Sequence, residues 1–137
     1  MNISSRCEYA CRAMVELARH ENVSQPLSAL HIPAKRGIPE KYLVHILLQL
    51  KRAGLVRSVR GAQGGYLLAR SPEEVTLHDI IRAIDGPVLE PLPLEDDGDR
   101  DVEPAWREVA LRIGAVLDDI TVRDILERAN KAEMYYI

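Results

Sequence analysis

Between residues 3 and 19 apolar side chains return every three or four positions, at Ile3, Cys7, Ala10, Met14 and Leu17, which predicts an amphipathic helix. Ser4 and Ser5 are its candidate caps, since a serine oxygen accepts from the unsatisfied amides of a first turn. Ser24-Gln25-Pro26 predicts a turn, and Ser28 a cap for a second helix running to about Arg36. Pro33 falls inside that helix, where a proline removes an amide donor and crowds the preceding turn, so a short or kinked helix is expected. Gly37 supplies the next turn. Pro39 suits the first position of a third helix and Glu40 its positive N-terminal end; the helix runs to about Ala53, and Gly54 ends it. Within it Leu43, Ile46, Leu47 and Leu50 form a buried stripe, while Lys41, Val44, His45 and Arg52 fall on or near the opposite face.

The period then shortens. Residues 55–59 and 66–69 read as strands joined by a glycine-rich turn over 61–65. A short helix, a glycine turn, a longer helix with a basic outer face and a basic hairpin make a winged helix–turn–helix, whose second helix enters the major groove of DNA. A generic helical hairpin with a solvated face is the blander alternative. A nucleotide-binding loop is set aside, because no Gly-Lys-Ser/Thr follows the glycines and a strand comes next. Ser71-Pro72-Glu73-Glu74 signals about one helical turn, and Thr76 with Asp79 a capping box for a helix through Ile84, ended by Asp85-Gly86-Pro87.

Residues 87–104 lose all periodicity: Pro87, Pro91, Pro93 and Pro104 flank an acidic run over 95–101. This predicts an exposed linker rather than a calcium loop, since EF-hand spacing and its closing Glu are missing. After Pro104 a long helix carries Trp106, Val109, Ile113, Val116 and Ile120 at steps of three and four, a coiled-coil-like seam expected to form a dimer interface with a second copy rather than pack on its own domain. Thr121 starts a further short helix with Val122, Ile125 and Leu126, and Tyr135-Tyr136-Ile137 ends the chain. The expected fold is mainly α with a small β-hairpin. A winged domain spans 1–86, an acidic Pro-rich linker 87–103, and a dimerisation helix with its tail 104–137.

Charge sharpens this division. The net charge of −3 conceals +5 over residues 1–82 and −8 over 83–137, and residues 35–70 hold eight basic side chains against one acidic, Glu40. The basic part coincides with the reading head, so an acidic total does not argue against nucleic acid. With no Phe the core is aliphatic. No apolar run spans a bilayer and no signal-peptide core opens the chain, so a cytoplasmic protein with no membrane partner is expected. No CxxC, HExxH or zinc-type cluster occurs, and no nucleophile–base pair stands out, so an enzyme is not expected. Cys7, Glu8 and Cys11 share one turn of the first helix. A thiol pair there could bind a metal or sense redox state, but two small buried apolar residues on the core stripe is the favoured reading.

Several segments together resemble the Rrf2 family of bacterial winged-helix regulators over nearly the whole chain. They are Glu8-Tyr9-Ala10-Cys11-Arg12-Ala13-Met14, Gly37-Ile38-Pro39-Glu40-Lys41-Tyr42-Leu43, Lys51-Arg52-Ala53-Gly54-Leu55-Val56, Arg60-Gly61 with Gly64-Gly65-Tyr66, Val75-Thr76-Leu77-His78-Asp79-Ile80-Ile81 and Asp119-Ile120-Thr121-Val122. The resemblance implies a homodimer with crossing C-terminal helices that binds a partly palindromic double-stranded DNA operator, usually as a repressor. It places Arg60 in the minor groove, with Gly61 and Gln63 beside it at the wing tip. Lys41, Tyr42 and His45 take the DNA-facing start of the recognition helix, and Ser28 offers a hydroxyl and a helix N-terminus to a phosphate.

The departures bear on the signal. Sensor members carry three linker cysteines for an iron–sulfur cluster; residues 87–104 contain none, so no cofactor is expected. Because some members use a first-helix carboxylate as a cluster ligand, the alternative is a cluster with unusual ligands drawn from Cys7, Glu8 and Cys11. A third possibility is control by a regulatory protein partner docked on the acidic linker and long helix. Val44-His45 stands where the family often has Glu-Gln, so operator sequence does not transfer, and Pro33 replaces a helix-compatible residue.

Overall fold

A computed structural model describes residues 2–21, 26–28, 31–90, 98 and 100–135. The chain runs α1 (Ser5–Arg19), α2 (His31–Arg36), α3 (Glu40–Arg52), β1 (Val56–Val59), β2 (Gly65–Leu68), α4 (Leu77–Ile84), α5 (Glu103–Asp118) and α6 (Val122–Tyr135). The turn expected at 24–26 and the acidic run at 95–101 lie largely outside the described residues, as do Pro91, Pro93, Tyr136 and Ile137.

Helix α1 is the hub. Ser4 Oγ accepts from the Cys7 amide at 3.0 Å and also donates to the Asp85 carboxylate, tying the start of α1 to the end of α4. Ile3 precedes this cap and is exposed, so the buried stripe begins at Cys7. Small Ala10, Ala13 and Ala18 let α1 lie close to α2, α3, α4 and α6 at once. Met14, Leu43, Ile46, Leu47, Leu50, Leu55 and Ile80 fill the aliphatic core between them. Helix α2 is six residues long, as expected of a helix containing Pro33, which falls in its first turn, where an amide has no intrahelical acceptor to lose. Pro39 is the N-cap of α3 rather than its first helical residue. The residues 71–74 form a hydrogen-bonded turn, Glu74 amide to Ser71 carbonyl at 2.9 Å, and not a helix.

Strands β1 and β2 pair antiparallel in the register Val56–Leu68, Arg57–Leu67, Ser58–Tyr66 and Val59–Gly65. Leu27 adds a third edge, exchanging two backbone hydrogen bonds with Tyr66 at 3.0 and 2.8 Å. That edge anchors the hairpin to the helical core.

The largest difference from expectation is at the C-terminal end. Helix α5 stops at Asp118, so Ile120 lies outside it, in a bridge where Leu77 donates to the Ile120 carbonyl and Val122 to the Val75 carbonyl. The helix begun at Thr121 is long, fourteen residues, and docks along α1: Val122 and Leu126 sit in the same core as the winged domain. Arg123 pairs with Glu21 and Glu73, and Arg19 with Glu133. The segment 104–137 therefore divides, with α5 projecting and α6 folded back. Thr121 and Asp124 build a capping box like that of Thr76 and Asp79, the two facing each other across the Thr76–Thr121 bridge. The repeated Thr-x-x-Asp was the available sequence signal for this second start.

Candidate nucleic-acid interface

On α3 the core stripe is buried as its spacing requires, which turns Lys41, Val44, His45, Leu48 and Arg52 to solvent. Tyr42 behaves differently from its neighbours. It is half-buried and stacked on Tyr9 of α1, ring centroids 5.8 Å apart. Lys41 Nζ lies over the Tyr42 ring at 5.1 Å, and Arg12 over the Tyr9 ring at 5.4 Å. This four-member stack fixes the start of the recognition helix against α1, so Tyr42 orients Lys41 as much as it presents its own hydroxyl. Arg12 also donates to the Arg36 carbonyl at 3.3 Å, bracing the turn at Gly37, where φ is +66°. Arg6, hydrogen-bonded to Gln49, lines one notch with Lys41, Tyr42 and His45. Neither Arg6 nor Arg12 stood out in the sequence, because nothing in the spacing of α1 residues reveals which lie over a helix thirty positions later.

The wing follows directly. Val59 and Gly65 are the last paired residues, so Arg60 leaves the sheet at its tip, and the Gly64 amide closes the turn on the Gly61 carbonyl at 2.9 Å. Gly61 has φ +112° with open space around it, a conformation costly for an L side chain. Gly64 and Gly65 are required for another reason: a Cβ at either would come within 2.2 Å of a backbone oxygen, that of Val59 and of Leu27. These two glycines serve the wing's own packing. Arg57, Arg60, Gly61 and Gln63 are exposed, and among the described residues no ion pair neutralises Lys41, His45, Arg52, Arg57 or Arg60. Ser28 follows Leu27, which pairs with Tyr66 next to the tip-side end of β2, and its hydroxyl lies 3.2 Å from His31 Nδ1.

Cys7 and Cys11 are hydrogen-bonded to each other on α1, Cys7 fully buried. That bond lowers the Cys7 thiol from its ordinary value and raises Cys11, which burial pushes further upward. Glu8 pairs with Arg12 at 3.1 Å, and its negative charge works to raise both thiols. Among the described residues no three His, Cys, Asp or Glu side chains converge as a metal site. The donor set on α1 does not fit a cluster.

Of the seam residues, Trp106, Val109 and Val116 are exposed on α5 and Ile113 is half-buried, whereas Ile120, also half-buried, belongs to the bridge beyond the helix. Helix α5 meets α4 at Gly114, whose Cβ position is 3.0 Å from the His78 ring, and Asp118 Oδ1 lies 2.9 Å from His78 Nδ1. Among the described residues no helix is long and apolar enough to cross a membrane.

Residues 3–128 match the family model described as "Rrf2: Iron-dependent Transcriptional regulator". The HTH-type transcriptional regulator CymR of Bacillus subtilis is 38% identical, with all of both chains covered. The solved structure of that protein, described as the global cysteine regulator of B. subtilis, superposes with a TM-score of 0.77 at 33% identity, covering 93% of this chain and 98% of the other. T. potens IscR superposes with a TM-score of 0.76 at 37% identity, covering 99% and 97%.

Proposed function

The chain belongs to the Rrf2 family of winged-helix, DNA-binding transcriptional regulators, and from that premise we propose that it works as a homodimer that represses by occupying a two-fold operator. The observation that carries this reading is the set of exposed basic side chains on α3 and the wing, Lys41, Arg52, Arg57 and Arg60, that no ion pair among the described residues neutralises. Such a set in a molecule with net charge −3 matches the phosphate backbone of DNA. Lys41 and His45 enter the major groove, Arg60 with Gly61 and Gln63 follows the adjacent minor groove, and Ser28 meets the backbone between them. Tyr42 acts chiefly through its stack with Tyr9.

Dimerisation supplies the second half-site. Trp106, Val109 and Val116 leave an apolar face on α5 that no other described element covers, as an isologous helix pair needs. A dimer seated across two half-sites excludes other proteins from that DNA, and repression is the simplest output.

The test is operator selection from random DNA, followed by affinity measured against salt. Log affinity falls linearly with log salt, and Arg60→Ala weakens binding by about 5- to 100-fold per dimer. Unchanged affinity in Arg60→Ala overturns the wing assignment; a protein that stays monomeric at micromolar concentration overturns the dimer.

A further inference from the structure

The solvent face of α3 is not simply basic. Residues 41, 44, 45, 48 and 52 share one side of the helix, opposite the buried Leu43, Ile46, Leu47 and Leu50. Val44 is 65% exposed and Leu48 42% exposed, one turn apart, forming a continuous aliphatic strip. Lys41 brackets the strip at its N-terminal end and Arg52 at its C-terminal end, with His45 alongside. Neither side chain is among the hydrophobics packed against the core. Two large aliphatic side chains held in water gain nothing for the free protein, and their burial awaits whatever meets this face. The cations on either side require that partner to be anionic at both ends and apolar between.

The major groove of DNA has that chemistry. Phosphates line its two walls, and the one apolar group on the base edges is the C5 methyl of thymine. We propose that Val44 and Leu48 are specificity-determining residues that read thymine methyls. Each operator half-site then requires thymine at two positions. Four residues of helix rise about 6 Å, so the two thymines lie within about two base steps of each other along the groove. Neither side chain has a hydrogen-bonding group, so neither distinguishes the donors and acceptors of other bases. Discrimination at those positions is carried by the methyl. A carboxylate at position 44 would instead accept from the cytosine N4 amino group.

This rests on α3 being the groove-facing helix, and the experiment separates the two. Duplexes of the operator selected by the parent protein are made with 2′-deoxyuridine in place of thymine at one position at a time, which removes only the methyl. Dissociation constants are read by fluorescence anisotropy at fixed salt. The parent loses about fourfold in affinity at each of two positions per half-site, and about sixteenfold when the same position is changed in both half-sites. Val44→Ala and Leu48→Ala each abolish the thymine–uracil difference at one of those positions, and far-UV circular dichroism shows both folded like the parent at the assay temperature. Val44→Glu shifts the selected base from thymine toward cytosine. Equal affinity of the parent for thymine and uracil duplexes at every position overturns the proposal. So does a thymine preference that survives in the Val44→Ala, Leu48→Ala double variant. If Lys41→Ala and Arg60→Ala also leave binding intact, the interface itself is misplaced; if those two are impaired while uracil is tolerated, only the methyl readout fails.

Discussion

Helices α3 and α5 both leave large apolar side chains in water, and they differ in the charges beside them. On α3 the exposed Val44 and Leu48 stand beside Lys41 and Arg52, which no carboxylate among the described residues neutralises. On α5 the exposed Trp106, Val109, Leu111 and Val116 stand among internally balanced pairs, Arg107 with Glu103 at 2.9 Å and Arg112 with Glu108 at 2.7 Å. An unbalanced face attracts a polyanion over a distance of about a Debye length; a balanced one repels nothing and suits a second copy of itself. Exposed apolar surface alone says that a partner exists, and the neighbouring charges say of what kind.

The contrast is broken most severely on α5. Replacing Trp106 and Val109 with Asp puts like charges opposite each other across a two-fold seam. Sedimentation is expected to show a monomer, and operator affinity to fall by about 10²- to 10⁴-fold as the second half-site becomes a separate binding event. A dimer that persists removes α5 from the interface. On the other side of the contrast, Arg57→Ala takes one unneutralised cation from the wing. A loss of about 3- to 10-fold is expected, with a shallower salt dependence by about one unit per phosphate contact removed. An unchanged slope would mean that Arg57 touches no phosphate.

Two smaller effects test what holds the reading head in place. Gly65→Ala forces a Cβ onto the Leu27 carbonyl and is expected to cost about 2–4 kcal/mol in thermal or denaturant unfolding. Gly61→Ala, in open space but at φ +112°, should cost about 1–2 kcal/mol. Equal costs would show that packing does not distinguish the two glycines. The smallest effect is at the α6 start. The Thr121 backbone amide, and then the Thr121 hydroxyl, hold the Asp124 carboxyl below its ordinary value of 3.8. Its stabilisation is therefore present above that value and is lost as pH falls through the lower folded one. Asp124→Asn should show a smaller drop in unfolding temperature than the parent between about pH 5 and pH 3; an identical drop would leave the cap without a part in acid sensitivity.

Much of this was legible in order along the chain. The α3 stripe of Leu43, Ile46, Leu47 and Leu50 is buried as its period demands, and Thr76 with Asp79 caps α4 as the spacing indicates. The hairpin lies within one residue of its expected bounds. What escaped were relations between distant segments. Ile120 continues the α5 seam by count but leaves the helix, because the backbone after Asp118 pairs with the segment around Thr76. Tyr42 sits on a DNA-facing turn by position, yet an aromatic partner thirty-three residues earlier draws it inward.

Period, caps and turn glycines are local properties, and from them alone the chain determines its helices, its wing and the basic character of its reading head. Tertiary structure decided what each surface is left to do. It folded α6 back onto α1 and, among the described residues, left Trp106, Val109 and Val116 of α5 exposed. It assigned Gly64 and Gly65 to close backbone contact, buried Cys7 with Cys11 only partly covered, and left Val44 and Leu48 exposed between Lys41 and Arg52. The physical reason is that burial and charge pairing depend on which residues meet across the fold, and no spacing along one helix contains that information.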